Sequence, residues 1–222
     1  MVAILGNLQD QLLVLHVEIS HLYLDERLTR LIFPSLLTLS CSFGESVRLL
    51  HPLKAWSMPS LQRLTILYVD DQEAIIDFLS IHGSRLLHLH IHLEGPLRIG
   101  HRFSKVLEHC PLLERLVIHP ATFGREHWIP DNQVLHAKLR CLDLAYSSGE
   151  RISYANDKLW ISKEVLPSLQ LVRHFCDLPW YLSTWVDSFE PCPEVGSNDF
   201  TIRIFQHQVV YKDGVLLWDS GF

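Results

Sequence analysis

Residues 86–93 read LLHLHIHL and set His88, His90 and His92 at every second position. In an extended chain alternate side chains share a face, so the three imidazoles would stand in one line. Imidazole can ligate a metal, act as a general base near neutral pH, or make polar contacts with a partner. Which of these applies depends on the element that holds the histidines, and on whether the stretch is unique.

It is one copy of a repeat. The pattern L-x-x-L-x-(L/I/V/C) occurs at Leu12 (LLVLHV), Leu36 (LLTLSC), Leu61 (LQRLTI), Leu86 (LLHLHI), Leu113 (LERLVI) and Leu139 (LRCLDL). A degraded copy, LQLVRH, begins at Leu169. The first leucines are 24, 25, 25, 27, 26 and 30 residues apart. That period matches leucine-rich repeats, in which a short strand is followed by a helix or 3₁₀ turn and stacked units share one core. The intervening segments fit. VDDQEAIIDFLSIHG reads as a helix with Asp70 or Asp71 as N-cap, Ile75, Phe78 and Leu79 on one face, and Gly83 at its end. RFSKVLEHC and DERLTRLIF also suit helices stopping ahead of Pro111 and Pro34. With Pro59 and Pro167, these prolines mark the turn into each strand.

The expected fold class is therefore α/β: a leucine-rich-repeat solenoid with a parallel concave sheet, convex helices and a C-terminal β-hairpin cap. Residues 1–175 form the repeat domain of about seven units, and residues 176–222 the cap with its aromatic loop. The fourth and sixth motif residues, such as Leu89 and Ile91, point inward, while the third, fifth and seventh face solvent on the concave sheet. His88, His90 and His92 take those three places in the fourth strand. Along the third place run Val14, Thr38, Arg63, His88, Arg115, Cys141 and Leu171. The fifth place gives His16, Ser40, Thr65, His90, Val117, Asp143 and Arg173, and the seventh sets His92 beside His119.

The expectation is a mildly basic centre on the hollow face, built from Arg63, Thr65, His88, His90, His92, Arg115, His119 and Asp143. Guanidinium forks suit carboxylate or phosphate oxygens, so the partner expected is a protein offering an acidic or phosphorylated segment. A bare solvated surface is the plain alternative.

The phrases MPSLQRLTI, HCPLLERLVIHP and LPSLQLV resemble the irregular leucine-rich-repeat region of fungal F-box proteins, over roughly residues 8–175. The tail DFTIRIFQHQVVYKDGVLLW resembles the strand-rich ending of that group, and its KDG is a hairpin signal in its own right. The resemblance implies the substrate-binding portion of an F-box-like SCF ubiquitin ligase receptor. The docking helices of an F-box have no room ahead of Leu12, so an SCF adaptor is a partner only if an F-box is supplied upstream, and no adaptor-binding residue is carried over. A leucine-rich-repeat scaffold without ligase role is the first alternative.

A metal-dependent hydrolase is the second, because H-x-H on a strand also resembles the metal-binding strand of amidohydrolase barrels. The solenoid period argues against a closed barrel, and Asp143 is expected two strands from His90, about 10 Å away. No G-x-S-x-G elbow, phosphate-binding glycine loop or H-E-x-x-H occurs. No cofactor, metal or catalytic residue is expected.

Composition narrows the rest. Apolar residues make up 48% of the 222-residue chain and charged residues 20%, enough to form a core. The net charge of −6 argues against sequence-independent nucleic-acid binding. Five dispersed cysteines without a CxxC pair, no signal-peptide pattern and no long apolar run point to a cytoplasmic or nuclear protein that engages no membrane. Cys41 is expected in the core and Cys141 as a surface thiol beside Arg115. Trp180, Tyr181, Trp185 and Phe189 are expected to cover one end of the stack, and residues 146–159 to form a rim loop. Ahead of Leu12 no polar cap is evident, which predicts an open apolar edge on the first repeat.

Overall fold

The structure is a computed structural model. It describes residues 10–19, 31–43, 53–69, 72–93, 100–118, 136–145, 166–175, 201–204, 208–212 and 215–219. The strands are β1 (Val14–Ile19), β2 (Thr38–Phe43), β3 (Arg63–Val69), β4 (His88–Leu93), β5 (Arg115–Ile118), β6 (Cys141–Ala145), β7 (Leu171–Phe175), β8 (Thr201–Ile204), β9 (Gln208–Lys212) and β10 (Val215–Asp219). Helix α1 (Gln72–His82) and a 3₁₀ turn (Gly83–Arg85) separate β3 from β4, and α2 (Gly100–His109) lies between β4 and β5. The fold is α/β.

All ten strands join one sheet in chain order. Each of β1 to β7 begins at the third residue of its leucine motif, and all neighbours from β1 to β8 pair in parallel. The chain then reverses: β9 runs antiparallel to β8, and β10 to β9, on either side of Asp213 and Gly214.

Two backbone devices recur. The carbonyl of the second motif residue accepts two amides from the following motif. Thus Leu13 receives Leu37 and Thr38, Leu37 receives Gln62 and Arg63, and Gln62 receives Leu87 and His88. Leu87, Glu114 and Arg140 receive their successors in the same way. Ahead of the strands, a tight turn brings the amide of the first leucine back onto a buried residue three places earlier. Leu36, Leu61, Leu86, Leu113 and Leu169 donate to the carbonyls of Phe33, Met58, Gly83, Cys110 and Leu166. Pro34, Pro59, Pro111 and Pro167 fill the second place of four of these turns, where a fixed φ near −65° is required.

Neighbouring turns are tied by side chains. Ser60 Oγ donates to the Pro34 carbonyl, Arg85 Nη1 to Pro59 and Ser168 Oγ to Ala137, at 2.6, 2.8 and 2.6 Å.

The fourth motif residues Leu15, Leu39, Leu64, Leu89, Leu116 and Leu142 share one core with Cys41, Ile66, Ile91 and Ile118 of the sixth place. Ile75, Phe78 and Leu79 of α1 join it, as their spacing predicts, and Phe33 packs its ring 5.2 Å from that of Trp56. The helix expected ahead of Pro34 is corrected at its end. Residues 31–33 are not helical there, and Ile32 forms a parallel bridge to Ser57. Proline disfavours the helical region for the residue before it, and the Phe33 amide bonds instead to the Ser57 carbonyl at 2.8 Å. Residues 25–30, the Asp70–Asp71 cap, His119, the loop 146–159 and the aromatic segment 176–199 lie outside the described residues. Among the described residues no helix is long and apolar enough to cross a membrane.

Candidate recognition face of the sheet

The pleat turns the third, fifth and seventh motif residues to the face opposite the leucine core. Registers align them as the repeat frame predicts. Thr38, Arg63, His88, Arg115 and Cys141 are successive partners, as are Ser40, Thr65, His90, Val117 and Asp143. Asp143 is two strands from His90, with Val117 between them.

Exposure is where the expectation of a solvated hollow needs correction. Thr65, His90, Arg115 and Asp143 are buried, as are Leu67, Val117, Cys141 and Leu171. Low exposure on this face therefore follows the fifth motif place, from Ser40 on β2 through Thr65, His90 and Val117 to Asp143 on β6. His88 and His92 are half-buried. The accessible part lies toward β1, where Val14, His16 and Arg63 are exposed and Thr38 and Ser42 half-buried.

Charge is rearranged as well. Arg115 does not extend a cationic row. Its Nε and Nη2 both contact Oδ2 of Asp143 at 2.8 Å, with the side chains 7% and 0% exposed. The pair is diagonal: Arg115 stands opposite Cys141, and Asp143 is two residues further along β6. Cys141 Sγ donates to the other carboxylate oxygen at 3.5 Å. The expected surface thiol is thus a buried one, held in the same cluster. Opposite charges at the third and fifth places of adjacent strands were the sequence signal for this contact.

Two of the histidines are held toward the neutral form. Burial pushes His90 down to about 3, with further lowering by His92 and Arg115 and an opposing pull from Asp143. Burial also takes His92 down to about 4. Burial has the opposite sign for thiols, raising Cys41 and Cys110 to about 12 and leaving them protonated core residues. Among the described residues no group of three or more His, Cys, Asp or Glu side chains is arranged to hold a metal ion.

A histidine outside the motif also has a structural task. Buried His136 accepts the Leu139 amide on Nδ1 at 3.0 Å, and its Nε2 lies 2.9 Å from the Cys110 carbonyl. Since Nδ1 must be bare to accept, Nε2 carries the proton and donates. His136 thus replaces the carbonyl that closes the other turns and links two repeats at once.

Fold and site together define an α/β chain whose sequentially stacked parallel strands carry a polar row, open near β1 and buried near β6. Comparison with protein-family models, with curated proteins and with solved structures finds no match to this chain.

Proposed function

We infer that this chain is a protein-recognition module: a leucine-rich-repeat solenoid serving as the substrate-binding portion of an F-box-like ubiquitin ligase receptor. The observation that carries the recognition reading is the run of accessible polar residues on β1 to β4. Thr38, Arg63 and His88 are aligned by parallel register, and exposed His16 stands two residues beyond Val14, the partner of Thr38 on β1. The repeat period and the recurring turn and carbonyl geometry support the solenoid reading. The ligase role rests on the F-box resemblance alone.

Arg63 is the side chain suited to a carboxylate or phosphate of the partner, because its guanidinium is exposed and always charged. Half-buried His88 and His92 contribute imidazole donors and acceptors. Arg115 and Asp143 lie on the same face but are buried in their mutual ion pair and do not meet the partner. Affinity purification of the tagged chain, with and without proteasome inhibition, tests this reading. Arg63→Glu combined with His88→Asp is expected to remove proteins that the wild type enriches. Enrichment of an SCF adaptor together with a full receptor supports the ligase role. Undiminished capture by the double variant rejects the face.

A further inference from the structure

Among the described residues, β1 is the leucine-motif strand with a neighbour on one side alone. At six interfaces the second and third motif residues donate their amides to a carbonyl of the preceding motif. In the first motif those places belong to Leu13 and Val14, and β1 ends the sheet, so among the described residues no strand supplies that carbonyl. The core is open at the same place. Leu15 keeps 9% exposure, whereas Leu39, Leu64, Leu89, Leu116 and Leu142 keep 0 to 2%. Leu12 and Val17 are half-buried, while their counterparts Leu36 and Cys41 are fully buried.

The rim is apolar, with Leu13 53% and Val14 48% exposed and Leu37 beside them at 38%. Every other motif has at least one non-aliphatic residue at these two places, as in Leu37-Thr38, Gln62-Arg63, Leu87-His88 and Glu114-Arg115. Nor is the edge blunted. β1 keeps unbroken register with β2 over six pairs and contains no proline, whereas β10, at the other end of the sheet, has an irregularity between Leu216 and Trp218.

We propose that the free edge of β1 is a strand-addition site, filled by a parallel, leucine-patterned strand of a partner polypeptide. The six internal interfaces specify this occupant. It offers a carbonyl at its second motif place to the Leu13 and Val14 amides. Its aliphatic residues at the first, fourth and sixth places complete the core over Leu12, Leu15 and Val17. A helix does not fit, because its carbonyls are consumed internally. A second copy of this chain brings two described end strands. Its β1 would meet this one antiparallel across a two-fold axis, and its β10 is irregular.

The probe is a synthetic peptide of residues 58–69, MPSLQRLTILYV, whose Gln62 carbonyl already accepts the Leu87 and His88 amides on the matching edge of β4. Titration into the isotope-labelled full chain is expected to shift the Leu13 and Val14 amide resonances saturably, and a scrambled peptide to leave them unmoved. Val14→Pro removes the edge donor where proline is tolerated. Leu13→Lys with Val14→Lys leaves the backbone intact and charges the rim. Each is expected to weaken binding roughly tenfold or more, with an unchanged melting curve. No binding up to about 1 mM peptide overturns the proposal. So does binding undiminished in both variants, or ultracentrifugation in which the wild type self-associates through this edge.

Discussion

Arg115 on β5 and Asp143 on β6 form a two-contact ion pair, each contact 2.8 Å, in the protein interior. Dehydrating both charges offsets much of their attraction, so the pair's net contribution is small, while either charge left alone is costly. Asp143→Ala or Arg115→Ala is expected to destabilise the fold by about 3–5 kcal/mol. The double variant Arg115→Met with Asp143→Leu is expected to be far milder. Urea unfolding of the three proteins checks this, and singles no worse than the double would show the pair to be solvated.

The two shifted histidines give a pH dependence of definite sign. Both fall below the ordinary 6.5, His90 to about 3 and His92 to about 4. The unfolded chain takes up protons that the folded chain refuses, so their contribution is intact above about pH 6.5 and is lost as the pH falls toward 4 and then 3. Each histidine adds at most about 1.4 kcal/mol per pH unit to that slope. Melting temperatures from pH 7 to pH 4 should fall less steeply in His90→Gln than in wild type. Parallel curves would refute the neutral buried imidazole.

Gly83 closes α1 and also touches the next repeat. A β-carbon there would lie 2.5 Å from the His109 carbonyl oxygen and 3.0 Å from Cys110 Sγ. The nearer obstacle is backbone and cannot rotate aside. Gly83→Ala is therefore expected to cost about 1–3 kcal/mol through overpacking, despite alanine's better helix propensity. Thermal denaturation reads it directly, and a stabilised variant would show that the turn relaxes freely.

His136 holds two backbone groups, so losing it should cost more than losing one link of the turn ladder. His136→Ala is expected to destabilise by about 2–4 kcal/mol, against about 1 kcal/mol for Ser60→Ala. Nitrogen chemical shifts of the imidazole should report the Nε2–H tautomer near neutral pH. A proton on Nδ1 would break the assigned bond to the Leu139 amide.

Much of this arrangement was legible from alternation and period. The leucine motifs located β1 to β7, and the two-residue pleat assigned Leu89 and Ile91 to the core and His88, His90 and His92 to the other face. Those properties are local: a strand's sidedness follows from its own backbone, and parallel register follows from the same motif place recurring in each strand. Burial of the second face is not local. It depends on how side chains of several strands pack together, and no period encodes that.

Sequence by itself therefore determined the strands, their order and the rows in which their side chains stand. Tertiary structure decided that Thr65, His90 and Asp143 are interior, that Arg115 is spent on Asp143, and that His136 and Gly83 serve contacts between repeats. The reason is physical. Solvent access and pairing are properties of the assembled surroundings, while side-chain direction is a property of the chain.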